Sequence, residues 1–196
     1  MSQAPIVDIN AFVHVRMIIG IIVALSIGRL LSGLAVFVQH PGRNNFDAVH
    51  FFWTLFAFLS VMQLWWWEFN LSNVAWTFPI FCFIVLYVST MYFLCTLLFP
   101  DTLYEYDGFY NYFMSRRRWF FGILILFEIL DIVDTAIKGA AYLASFSIEY
   151  WLHAVLFVAI CLAAMRIESR RFHLIFAVAA IVYEMSWVVR RYDVLA

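Results

Sequence analysis

Charge is what this chain has least of. Asp, Glu, Lys and Arg make up 13% of its 196 residues, about half the ~25% of an ordinary soluble domain. With 66% of the residues hydrophobic, that scarcity excludes a soluble globular domain, and it equally excludes a disordered chain, which needs low hydrophobicity and high charge. The net charge of −1 leaves no basic surplus for nucleic acid. Cysteine is sparse too: Cys82, Cys95 and Cys161 fall inside apolar stretches with no CxxC or Cys/His spacing. They read as small buried hydrophobes and not as metal or redox groups. No HExxH, GxSxG or Walker loop occurs, so nothing points to an enzyme, a cofactor or a metal. Lys138 is the only lysine and lies at a helix end, which argues against a retinal Schiff base. The N-terminal tail carries Asp8 and no Lys or Arg. It lacks the basic region of a signal peptide, and the first apolar segment is expected to be retained.

What the chain has is apolar length. Runs at about 13–37, 49–69, 77–99, 119–137, 146–165 and 172–189 are each bounded by polar or turn-forming residues. The first would extend ~37 Å as a helix, enough to cross a ~30 Å hydrocarbon core with some tilt. Trp65, Trp66, Trp67, Trp76, Trp119, Trp151 and Trp187 sit near the ends of these runs, where indoles favour the membrane interface. The pattern predicts an all-α integral membrane bundle of six transmembrane helices, a single domain over 1–196.

With six spans, the first, third and fifth connections carry Arg43, Arg116, Arg117, Arg118, Arg166, Arg170 and Arg171, against Arg16, Lys138, Arg190 and Arg191 on the other side. Retention of positive loops then places the first group in the cytoplasm and both termini outside, in a plasma or bacterial inner membrane. The third connection, 100–118, mixes aromatics and acids before Arg116, Arg117 and Arg118. It is expected to lie on the interface with those arginines on anionic lipid. So small a bundle exposes much lateral surface, which suggests a homo-oligomer.

Gly20 to Gly33 lies without gaps over Gly122 to Thr135, so that Ser26 matches Glu128, Arg29 matches Asp131 and Ser32 matches Asp134. This suggests a 3+3 repeat, 13–99 and 119–189, joined by the interfacial loop. Three spans per copy would make the topology inverted, an arrangement that puts a working site near mid-membrane. A simple six-helix bundle is the other reading.

The charged and polar residues inside the spans carry the functional argument. Arg29, Gln63, Glu68, Glu128, Asp131, Asp134 and Glu184 fall within or near the ends of the apolar runs, where each charge costs at least ~2.5–3.5 kcal/mol. At helical spacing, Glu128, Asp131, Asp134, Thr135 and Lys138 form one polar stripe. By distance from span midpoints, Glu128 is central, while Asp131, Glu184 and Gln63 lie ~4–6 Å toward the termini and Arg29 ~6 Å toward the other side. The expected arrangement is an acidic vestibule with Asp134 at its mouth, ending at an Arg29–Glu128 pair. Such a cluster attracts cations and holds protons. This reading is a small channel or transporter for protons or cations, acting through Arg29, Gln63, Glu128, Asp131, Asp134 and Glu184.

The same charges also suit helix-to-helix glue, with Asp134 and Lys138 paired one turn apart. Gly28, Ser32 and Gly33 would then mark close packing of the first helix. The alternative function is a non-catalytic membrane subunit or a binder of a lipophilic ligand such as haem, quinone or lipid. His14 and His153 would fall on one side, and His40, His50 and His173 on the other. That is the distribution a di-haem carrier requires.

Overall fold

The computed structural model describes residues 9–39, 47–100 and 106–192. His40, Arg43, Asp101 to Glu105 and the tail up to Asp8 lie outside them. Every regular element among the described residues is helical: α1 (Ile9–Gln39), α2 (Ala48–Trp67), α3 (Phe78–Leu98), α4 (Phe109–Ile137), α5 (Ala140–Ala144), α6 (Ile148–Ala164) and α7 (Arg170–Tyr192), with a 3-10 helix (Glu68–Asn73) after α2. Four segments are long and apolar enough to cross a membrane: Asn10–Gln39, Ala48–Asn73, Phe78–Leu98 and Arg170–Arg191. This is consistent with a membrane protein. α6 is apolar but shorter, and α4 carries Glu128, Asp131 and Asp134 within one span length.

Local chemistry explains the helix ends. The Asp47 carboxylate accepts from His50 N at 2.8 Å, capping α2, and accepts again from Arg170 Nη2 at 2.5 Å, tying the start of α2 to the start of α7. Pro79 stands in the first turn of α3, where its missing N–H costs nothing. α4 stops at Lys138, and Gly139 turns the chain with φ +125°, a backbone conformation that side-chain-bearing residues rarely adopt.

Contacts at the helix ends give the directions. Arg16, early in α1, stacks on Trp65 and Phe69 at the end of α2, and Arg190, late in α7, binds Glu149 at the start of α6. Trp67, at the end of α2, clusters with Phe146 and Tyr150 around the start of α6 and with Trp187 late in α7, so the start of α1 and the end of α7 lie at the same end of the bundle. At the opposite end, Phe99 packs on Phe109 and His50. The core between them is aliphatic and aromatic, with Leu30, Trp53, Ile84, Leu94 and Phe121 shut off from solvent. Trp53 meets Phe56, Phe113, Phe120, Phe121 and Phe176 within 6.5 Å, so these rings pack the interior.

Three expectations change. The connection 100–118 is not all interfacial loop. α4 starts at Phe109, so Arg116, Arg117 and Arg118 are helical residues; aromatic residues at helical spacing, Phe109, Tyr112 and Phe113, are buried against the bundle and extend the helix below the apolar run. The two halves are also packed differently. α3 packs on α1, whereas its counterpart α7 packs on α2 and makes no comparable contact with α4 among the described residues. Finally, only Gly33 of the three small residues on α1 serves close packing. A Cβ there would fall 2.2 Å from the Phe99 ring, while nothing lies within 4 Å of one at Gly28 and Ser32 is exposed.

Candidate functional site: a cavity lined by three acids

α4 brings its acids to two adjoining places. Nearest its end, Lys138 Nζ donates to Glu68 Oε1 at 3.1 Å and to Asp134 Oδ2 one turn back, and all three side chains are closed to solvent. Lys138 also lies 5.2 Å from the centre of the Trp67 ring. Trp67, Phe146 and Tyr150 form a small apolar cluster beside this knot, to which the bend through α5 contributes. Two carboxylates share one ammonium, so the knot holds its charges by mutual pairing in a place water does not reach.

One turn further into the bundle, Asp131 accepts from Tyr87 OH at 2.8 Å and from Tyr150 OH at 3.1 Å. Tyr87 comes from α3 and Tyr150 from α6, so one carboxylate links three helices. Glu128 follows, with His153 Nδ1 at 3.8 Å, and His153 stacks face to face on Tyr183 at 4.0 Å. Glu184 on α7 lines the same space as Ser60, whose hydroxyl donates to the Phe56 carbonyl at 2.9 Å. Glu184 Oε2 is buried and has no hydrogen-bond partner among the described residues.

Glu128, Asp131 and Glu184 line a common cavity of about 140 Å³, together with Ser60, Gln63 and His153. That is room for several waters. The rest of the wall is aromatic or aliphatic, including Trp67, Phe127, Tyr183 and Trp187, and among the described residues no Lys or Arg lines it. Four of the six expected transport residues, Gln63, Glu128, Asp131 and Glu184, are thus brought together.

Arg29 and Asp134 are not part of that wall. Arg29 Nη2 donates to the Phe99 carbonyl at 2.6 Å, beside the start of α4. Glu128 lies nineteen residues along α4 from Phe109, ~28 Å by helical rise. The expected Arg29–Glu128 pair is therefore replaced by two separate sites, because an arginine two thirds of the way along α1 sits beside the opposite end of α4. Asp134 does not stand at a mouth either: it is locked with Lys138, the i,i+4 pair the spacing allowed.

Arg116 Nη2 donates to Tyr106 OH at 3.0 Å, Arg117 bridges to Glu168 Oε1 at 2.7 Å, and Arg118 is exposed. His50 and His173 each place Nε2 within 2.8 Å of a backbone carbonyl, of Leu98 and Ile167. Each of those two rings thus has a nitrogen engaged by the backbone.

Tyr87 and Tyr150 are the site residues that sequence reasoning left out; His153 it considered only as a haem ligand, and Glu68 it noted as costly without giving it a role. A single glutamate at an apolar span end and a single lysine in the whole chain were a usable signal for Glu68 with Lys138. Tyr87 and Tyr150 carried none, being two among 40 aromatic residues. Comparison with known protein families, with curated proteins and with solved structures gave no match.

Proposed function

We propose that this protein is a small channel or transporter that moves protons or cations across a plasma or bacterial inner membrane through the acid-lined cavity. The observation that carries this reading is the cavity itself: three carboxylates face a common space that no Lys or Arg lines among the described residues, whereas the only lysine neutralises other acids nearby. Structural glue is built like the Glu68–Lys138–Asp134 knot, paired and dry. Among the described residues Glu128 and Glu184 have no Lys or Arg partner, Glu128 having only His153 at 3.8 Å, and intramembrane acids of that kind mark proton and cation pathways.

In this reading α4 and α6 also cross the membrane, giving six crossings with both termini on the outer side. The alternation of helix direction supports an even number of crossings, and the arginine excess at the other end supports the orientation. Protons would pass between Glu128, Asp131 and Glu184 over cavity water, with His153 and the hydroxyls of Tyr87 and Tyr150 as neighbouring donors. Arg116 and Arg118, exposed near the start of α4, would rest against anionic lipid, and lateral surfaces would meet in a homo-oligomer. Purified protein in liposomes is expected to collapse an imposed pH or cation gradient, and Asp131→Asn to abolish this while still inserting. No flux of any ion through the wild type would remove the transport reading.

A second reading has its own support. Most of the cavity wall is apolar or aromatic, as in a site for a lipophilic ligand. The protein would then be a non-catalytic membrane subunit or ligand binder. Extraction of a bound lipid or pigment in stoichiometric amount, without flux, would favour it.

A further inference from the structure

The cavity has a second, lipid-facing neighbour. A groove of about 270 Å³ runs between α6 and α7, lined by apolar side chains such as Leu152, Leu156, Ala179 and Ala180. α6 packs on α4 and α7 packs on α2, and among the described residues α6 and α7 are not themselves a closely packed pair; the α7 side of the seam presents Phe176, Ala179, Ala180 and Tyr183. His153, Phe157 and Tyr183 line both the groove and the acid cavity. The stacked His153–Tyr183 pair is the partition between them, and the two spaces adjoin.

Resting on the reading of the cavity as an acid-lined transport site, we propose that its substrate is a lipophilic organic cation that enters sideways from the bilayer through the α6–α7 groove. A metal cation needs converging oxygen ligands, and among the described residues no three His, Cys, Asp or Glu side chains converge on a point. Asp131 is already held by two tyrosines, so Glu128 and the free Oε2 of Glu184 are the carboxylates left to meet a guest. The same wall includes the aromatic rings of Phe127, Tyr183 and Trp187. Aromatic faces with spaced carboxylates suit a diffuse positive charge on a hydrocarbon body, attracted by ring quadrupoles and by net negative charge without any need for tight coordination. Among the described residues no Lys or Arg lines the cavity or the groove to repel such a guest.

The test uses two ions of similar size and opposite charge, small enough for the cavity together with the groove it adjoins. Benzyltrimethylammonium and phenylmethanesulfonate are titrated separately into the purified full chain in detergent, with binding followed by calorimetry. The ammonium ion is expected to bind and the sulfonate not. Glu128→Gln and Glu184→Gln, each checked for an unchanged size-exclusion profile, are expected to weaken ammonium binding about tenfold or more. Ala179→Trp, which fills the groove from an exposed position, is expected to slow ammonium uptake into liposomes, and wild-type uptake by that variant would overturn the lateral route. Equal binding of both ions, no ammonium binding, or ammonium binding indifferent to both glutamine variants would overturn the proposal. Proton flux persisting without ammonium binding would overturn it and leave the proton pathway standing. Ammonium binding without flux of any ion would uphold the site and overturn transport.

Discussion

Lys138 and Glu68 meet at 3.1 Å with both side chains closed to solvent, the first from the end of α4 and the second from the turn after α2. Removing Lys138 leaves Glu68 and Asp134 buried without compensation, and breaking such a pair costs about 3–5 kcal/mol in other proteins. Lys138→Met is therefore expected to destabilise the fold strongly. Adding Glu68→Gln and Asp134→Asn to it should recover most of the loss, because the three charges then disappear together. Unfolding by SDS in mixed micelles would read this, and a single variant as stable as the wild type would show that the knot is not holding the helices.

Asp131 offers a sharper test of network behaviour. Tyr87→Phe removes the 2.8 Å donor from α3 and Tyr150→Phe the 3.1 Å donor from α6. Each should cost about 1–3 kcal/mol for a buried acceptor left short of a donor. The two tyrosines act on one carboxylate, so a double-mutant cycle should show coupling of roughly 0.5–3 kcal/mol. Strict additivity would mean that they do not share Asp131.

Close packing of α1 on α3 depends on one missing methyl. A Cβ at Gly33 would lie 2.2 Å from the Phe99 ring, so Gly33→Ala must push the ring or the helix aside at about 1–3 kcal/mol. Gly28, which faces open space, should accept alanine with no loss. The contrast is measurable in the same micelle titration, and equal effects at both positions would contradict the packing described.

Much of this architecture was readable before any coordinates. The apolar runs gave five of the helices and the end of a sixth, α4, to within a few residues, because a long stretch with no polar break has little alternative to a helix in an apolar solvent. α4 carried its acids at spacings that place them on one face, so Glu128, Asp131 and Asp134 could be grouped by periodicity alone. Pairing across helices was not readable in the same way. Arg29 was assigned to Glu128 from depth along each span, yet a depth estimate knows nothing of helix rotation or of where α4 really begins. The residues from Phe109 to Arg118 misled for a related reason: their arginines lower hydropathy without lowering helix propensity. Tyr87 and Tyr150 were hidden by composition, since a polar hydroxyl on an aromatic ring is invisible where every helix face carries rings.

The charges that face the cavity can be separated from those that hold the fold. Glu149 lies at the exposed start of α6 with Arg190 and lines the groove but not the acid cavity, so Glu149→Gln should leave proton uptake as it is in the wild type. It serves as a matched control for charge removal on the same end of the bundle.

The most direct measurement is proton uptake into liposomes holding equal amounts of folded wild type, Glu128→Gln, Glu184→Gln and Glu149→Gln, followed with an entrapped pH dye under an imposed membrane potential. The expected result is loss of uptake in the Glu128 and Glu184 variants and wild-type uptake in the Glu149 variant. Wild-type uptake in all three variants would contradict a pathway through the acid-lined cavity.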